Sequence, residues 1–73
     1  MAVVTSRRTG VNDRLEDIQA RLQGISEEIG DLSLTLLREA VEAGETQRPP
    51  LDKVLARARR SVDKAVVILE REL

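Results

Sequence analysis

The chain has 73 residues and a formal net charge of −1, and it contains no cysteine, histidine or aromatic residue. This composition excludes disulfides, the usual zinc ligand sets and aromatic stacking platforms for single-stranded bases. A chain of this length buries only about 60% of the surface that its unfolded form exposes, so we expect one small domain that needs a partner for stability.

Residues 1–11 are predicted to form a flexible N-terminal tail. Its two arginines, Arg7 and Arg8, follow the first apolar residues, which is the reverse of the order in a signal peptide. No apolar run approaches the roughly 18 residues that a membrane span needs. The sequence therefore predicts a cytoplasmic protein that does not contact a membrane.

The first helix is predicted from about residue 13 to residue 43. Asn12 is a suitable cap, and the acidic residues after it suit the positive end of a helix dipole. Leucines and isoleucines then recur at alternating steps of three and four, which is the a/d pattern of a helical heptad. This seam is predicted to face the second helix and consists of Leu15, Ile18, Leu22, Ile25, Ile29, Leu32 and Leu36.

Two glycines, Gly24 and Gly30, interrupt the first helix at a cost of roughly 1 kcal/mol each against alanine. One interpretation is a hinge, with Ser26 capping a second helical segment. The other is close packing at solvent or interface positions. The heptad spacing passes through both glycines without a skip, which favours close packing.

A turn is predicted at residues 44–50, because Gly44 can adopt the left-handed conformation and Pro49 and Pro50 cannot continue a helix. The second helix is predicted from about residue 51 to residue 73. Its apolar positions repeat the heptad pattern at Leu51, Leu55, Ala58, Val62, Ala65 and Leu69. Residues 12–73 thus predict an all-α fold, an antiparallel hairpin of two long helices.

More apolar residues are present than one seam can hold. Some lie at outer heptad positions, and the first helix is long enough to extend past the second, leaving its first apolar residues without a partner. We predict that a second copy covers them, giving a homodimeric four-helix bundle; a heterologous partner helix and a higher oligomer are the alternatives. The predicted interface consists of Leu15, Ile18, Leu34, Leu37, Val41, Val54 and Ile68.

Charge is divided unevenly between the helices. Residues 13–43 hold eight acidic and three basic residues, whereas residues 51–73 hold four acidic and six basic residues. Five cations of the second helix, here called the basic row, fall in one narrow sector: Lys53, Arg57, Arg60, Lys64 and Arg71. The row could bind phosphates or an acidic protein, but a solvated face that keeps a bundle soluble is the more common role of such a row.

No constellation for catalysis is recognisable. Glu39 occupies a d position where the heptad predicts an apolar residue, and such a residue more commonly specifies helix register than acts as an acid or base. We therefore predict no catalytic site, cofactor or metal. The predicted function is a small self-associating interaction or scaffolding module, and the alternative is a nucleic-acid-associated or regulatory protein that uses the basic row.

Overall fold

The computed structural model describes the backbone of residues 2–73 and the side chains of residues 10–73. It contains two helices, α1 (Ala2–Glu42) and α2 (Pro50–Glu72), which pack against each other as a hairpin. No strand occurs between residues 2 and 73. The molecule measures 65 × 16 × 11 Å, and its long dimension is that of α1 at a rise of about 1.5 Å per residue. The predicted all-α hairpin is confirmed.

The turn between the helices forms as its sequence predicts. Gly44 has a φ of 79°, a left-handed conformation that costs glycine little. Its N–H donates to the carbonyl oxygen of Val41 at 3.0 Å, and the N–H of Glu45 donates to that of Ala40 at 3.0 Å. These are the two hydrogen bonds of a Schellman motif, which ends α1 and reverses the chain.

Proline and an acidic residue begin α2. Pro49 has an extended backbone (φ −60°, ψ 143°), and Pro50 is the first helical residue, where its lack of an N–H has no cost. Asp52 follows in the first turn, where a carboxylate is favoured by the helix dipole. Its side chain accepts a hydrogen bond of 3.0 Å from Arg48 Nη1, and the residue is buried. The loop is thereby tied to the start of α2.

The beginning of α1 differs from the prediction. The helix begins at Ala2 and therefore runs through segment 2–11, for which the sequence predicts a tail and a helix start near Asp13. A residue such as Asn12 can cap a helix but does not prevent the helix from extending. No proline precedes Asn12, and the one glycine there, Gly10, costs only about 1 kcal/mol. The helix also passes uninterrupted through Gly24 and Gly30.

The side of α1 that faces α2 also differs from the prediction. Within the predicted a/d seam, Ile18, Ile25 and Leu32 are 38%, 45% and 52% exposed. Between residues 10 and 42, the buried residues are Ser26 and Ala40, at 6% and 9% exposure, and both occupy the e position next to the seam. The helices therefore meet along their a and e positions, and the d positions of α1 are left exposed.

Facing residues define how far the helices overlap. Ser26 contacts Asp63 and Gly30 lies against Arg59, so the numbers of two residues at one level of the hairpin add up to 89. Leu73 is then level with residue 16, and α1 extends beyond the end of α2, as the sequence predicts. No side chain in residues 10–73 is completely buried. The hairpin has a contact line between two helices and no sealed core.

Candidate interaction surface

A polar layer crosses the contact between the helices. Ser26 Oγ donates a hydrogen bond to Asp63 Oδ1 at 2.5 Å, and it accepts one from Arg59 Nε at 3.2 Å. Arg59 and Asp63 are one helical turn apart, so a cation and an anion of α2 both hold the same hydroxyl of α1. Since a buried hydroxyl without partners is costly, sliding α2 by one turn would be unfavourable. The polar layer, defined as Ser26, Arg59 and Asp63, fixes the register of the hairpin.

Gly30 makes room for this layer. A Cβ atom at Gly30 would lie 2.6 Å from Arg59 Nη1 and 2.9 Å from Arg59 Cζ, which is closer than van der Waals contact allows. A Cβ atom at Gly24 would meet no other atom within 4 Å. The two glycines therefore have different roles: Gly30 is a close-packing position, and Gly24 faces open space.

The sequence prediction did not include the polar layer. The sequence presents Ser26 only as a possible cap of a second helical segment, and Arg59 lies outside the basic row. The sequence carries no signal for it, because Arg59 and Asp63 are exposed residues of α2 and their partner Ser26 lies 33 and 37 residues away in the chain.

A broad apolar surface remains exposed on the hairpin. On α1 it consists of every seventh residue from Val11 to Leu32, and these side chains are between 38% and 57% exposed. On α2 it includes Leu51, Val54 and Ile68, which are 49%, 54% and 51% exposed. Two small residues, Ala58 and Ala65, lie between these on α2. We call this surface the open face, and it comprises Val11, Ile18, Ile25, Leu32, Leu51, Val54, Ala58, Ala65 and Ile68.

Helix geometry places both halves of the open face on the same side of the hairpin. On α1, Ile25 lies about 100° before Ser26, which faces α2. On α2, Ala65 likewise lies about 100° before Val66, which is only 8% exposed and faces α1. On each helix, the exposed stripe is thus rotated about 100° around the helix axis from the side that faces the other helix. Because the two helices are antiparallel, this rotation brings both stripes to the same side of the hairpin. The open face is thus a continuous surface two helices wide.

The structure separates the predicted interface residues into three groups. Ile18, Val54 and Ile68 belong to the open face. Leu34 and Val41, at 61% and 73% exposure, lie on the opposite side of α1. The remaining two, Leu15 and Leu37, are half-buried on the side of α1 that faces α2. The predicted stripe of Leu34, Leu37 and Val41 is therefore not a single exposed surface.

The residues of the basic row are all exposed on one side of α2. Arg57, Arg60 and Lys64 border one shallow groove together with Ser61. A second groove joins Arg57 to Val54 and Ala58 of the open face. The basic row therefore runs along the outer edge of the open face.

The acidic side chains of the described residues are not grouped as metal ligands. Glu39 is exposed near the end of the α1 stripe. No group of three or more acidic side chains that could hold a metal ion occurs among residues 10–73, and every buried side-chain nitrogen or oxygen in that range has a hydrogen-bond partner. Neither α1 nor α2 combines the length and the apolar character that crossing a membrane requires.

Comparison of the chain with protein-family models, curated proteins and solved structures finds no match. The surfaces of the hairpin are therefore the features that bear on its function.

Proposed function

We propose that the protein is a self-associating helical module that works through protein–protein contacts and has no catalytic activity. The observation that carries this proposal is the open face. Isolated exposed leucines are ordinary, but an apolar surface that is continuous across two helices is typical of an interaction site. Half-buried side chains along both helices also leave a lone hairpin with little hydrophobic stabilisation, since isolated helices gain most of their stability from packing.

The accessible surface of the chain supports the same proposal. A compact monomer of 8.1 kDa would have about 4,500 Å² of accessible surface, whereas this chain has 6095 Å². The excess is about 1,600 Å², and a standard protein interface covers about 800 Å² per partner. Part of the excess belongs to the segment of α1 beyond α2, and the open face accounts for a further part.

Molar mass in solution tests the proposal directly. Light scattering at micromolar concentration should give about twice the 8.1 kDa of one chain. Leu32→Asp should return the mass to that of a monomer, because it places a charge in the open face. Leu34→Asp is the matched control, since Leu34 is a leucine of similar exposure on the opposite side of α1, and it should leave the mass unchanged.

Two results would contradict the proposal. One is a wild-type mass of about 8.1 kDa combined with a cooperative helical melt, which would mean that the hairpin is stable alone. The other is an equal effect of Leu32→Asp and Leu34→Asp on the mass, which would mean that the open face is not the contact surface.

Nucleic-acid binding is the second candidate function, and the exposure of the whole basic row favours it. A row of lysine and arginine residues along a helix can neutralise phosphates. Against it, α1 carries an excess of acidic residues and the net charge is −1, so the field around the molecule does not favour a polyanion. We therefore place it second to self-association.

A further inference from the structure

We propose that the open face binds a second copy in one specific arrangement, in which α1 of each chain packs antiparallel against α2 of the other. This inference rests on the proposed self-association and specifies its geometry. A two-fold axis that is parallel to the helices and lies between the open faces of the two copies generates the arrangement. All four neighbouring helix pairs in the resulting bundle are antiparallel.

The two edges of the open face carry opposite charges. On the outer edge of α1, Glu28 and Asp31 border the same shallow groove as Ile25 and Leu32. Asp17 lies further along that edge but is paired with Arg21 at 3.1 Å, so the acidic charge of this edge comes from Glu28 and Asp31. On the outer edge of α2 are Arg57, Lys64 and Arg71, the three members of the basic row nearest the open face. When α1 packs on α2 of the second copy, an acidic edge meets a basic edge.

The heights of these charges along the hairpin agree with the arrangement. Within one hairpin, an α1 residue and an α2 residue at the same position along the helix axis have numbers that add up to 89. A two-fold axis parallel to the helices does not shift positions along that axis, so the same sum applies to α1 of one copy and α2 of the other. Asp31 and Arg57 add up to 88, and Glu28 and Lys64 to 92. Each acidic residue is therefore within one helical turn of a cation of the second copy.

Side-chain size is complementary in the same register. Leu32 is level with Ala58 of the second copy, since their numbers add up to 90, and Ile25 is level with Ala65 for the same reason. Large residues on one helix thus meet small residues on the other, which lets two helices approach closely and interdigitate. In the hairpin alone Ala58 is exposed and Ala65 is half-buried, and in this arrangement the second copy covers both.

The alternative two-fold axis, perpendicular to the helices, would pack α2 on α2. It would bring Arg57, Lys64 and Arg71 of the two chains together, and the α2 edge of the open face has no acidic residue among its c positions to offset them. The α1 edge would be less unfavourable, because Arg21 lies 3.1 Å from Asp17 there. The repulsion between the two α2 edges therefore decides between the two arrangements.

Charge exchange between the edges tests the arrangement. Glu28→Lys with Asp31→Lys makes both edges basic, and Arg57→Glu with Lys64→Glu makes both edges acidic. Each double variant should raise the dimer dissociation constant by about tenfold or more, and the chain that combines all four changes should recover wild-type affinity to within about threefold. Glu16→Lys with Glu27→Lys, the same change of charge on the side of α1 away from the open face, is the control and should have little effect.

Engineered cysteines provide an independent test, because the chain has none of its own. Chains carrying Ile25→Cys and Ala65→Cys are mixed and oxidised, and the products are identified by intact mass. The mixed disulfide should form in preference to either disulfide between identical chains. A pair with Leu34→Cys in place of Ile25→Cys should not form a mixed disulfide, because Leu34 lies on the opposite side of α1.

The outcomes separate the arrangement from the proposed function. A monomeric wild-type chain would overturn both. A wild-type dimer in which neither double variant weakens association and identical chains cross-link would overturn the arrangement alone and favour packing of like helices. A dimer with charge rescue and a preferred mixed disulfide supports the arrangement.

Discussion

The contact between Gly30 and Arg59 leads to a quantitative prediction about two glycines in one helix. Glycine in a helix interior is about 1 kcal/mol less favourable than alanine, so Gly24→Ala should raise the free energy of unfolding by about that amount because nothing lies within 4 Å of the added methyl group. At Gly30 the methyl group would lie 2.6 Å from Arg59 Nη1. The guanidinium must therefore move when Gly30 becomes alanine.

Moving the guanidinium weakens the polar layer. The hydrogen bond from Arg59 Nε to Ser26 Oγ, 3.2 Å long, contributes about 0.5–1.5 kcal/mol if it is typical of its class. Its loss offsets the gain in helix propensity, so Gly30→Ala should leave stability near that of the wild type. The difference between the two variants should be about 1 kcal/mol, which corresponds to about 4–8 °C in melting temperature for a domain of this size.

Thermal unfolding followed by circular dichroism at a fixed chain concentration measures this difference, since association makes the melting temperature depend on concentration. The double variant Gly30→Ala with Arg59→Ala serves as a check, because removing the guanidinium removes the clash. Relative to Arg59→Ala alone, the alanine at residue 30 should then raise the free energy of unfolding as much as Gly24→Ala does in the wild type. If Gly30→Ala alone stabilises as much as Gly24→Ala, Arg59 is not held over Gly30 and the polar layer does not set the register.

Three further predictions concern the hairpin and its charges. Leu37→Asp should lower the free energy of unfolding by several kcal/mol, measured by urea denaturation, because it puts a charge on the half-buried side of α1 facing α2; the exposed Glu42→Gln should change it little. Gly44→Ala should cost about 1–2 kcal/mol in the same assay, because the φ of 79° is strained for alanine. Binding of duplex DNA should be weaker than about 10⁻⁴ M at about 150 mM salt, with a log–log salt slope of about −3.6 at lower salt if about four phosphates are neutralised.

Each of these has an outcome that would count against it. Equal losses for Leu37→Asp and Glu42→Gln would show that residue 37 is not packed against α2. A Gly44→Ala variant as stable as the wild type would rule out the left-handed turn. Micromolar DNA affinity at about 150 mM salt, lost in a variant with Arg57→Glu and Arg60→Glu that keeps its molar mass and helicity, would make nucleic-acid binding the leading function.

The turn was predictable from sequence because its chemistry is local. Gly44 supplies the left-handed residue, and Pro49 and Pro50 prevent the helix from continuing. The beginning of α1 was less predictable, because a favourable cap such as Asn12 competes with continued helix by only about 1 kcal/mol. Local signals therefore located the hairpin but not the full length of its first helix.

The face of α1 that meets α2 was not predictable from periodicity. Apolar residues occupy a, d and outer positions, so the stripe is wide enough for α2 to pack along either of its edges. The choice is made by pairs that are distant in sequence: Ser26 with Asp63, and Gly30 with Arg59. A single sequence read along one helix at a time contains no signal for such a match.

The unequal lengths of α1 and α2 give the proposed dimer two different ends. Because its axis is parallel to the helices, both turns lie at one end and both projecting segments of α1 lie at the other. With neighbouring helices about 10 Å apart, the two projecting segments would be about 14 Å from each other across the diagonal of the bundle. Whatever binds one of them would meet a second identical site within that distance, so the dimer would present its N-terminal segments as a bivalent ligand whose avidity exceeds the affinity of either segment.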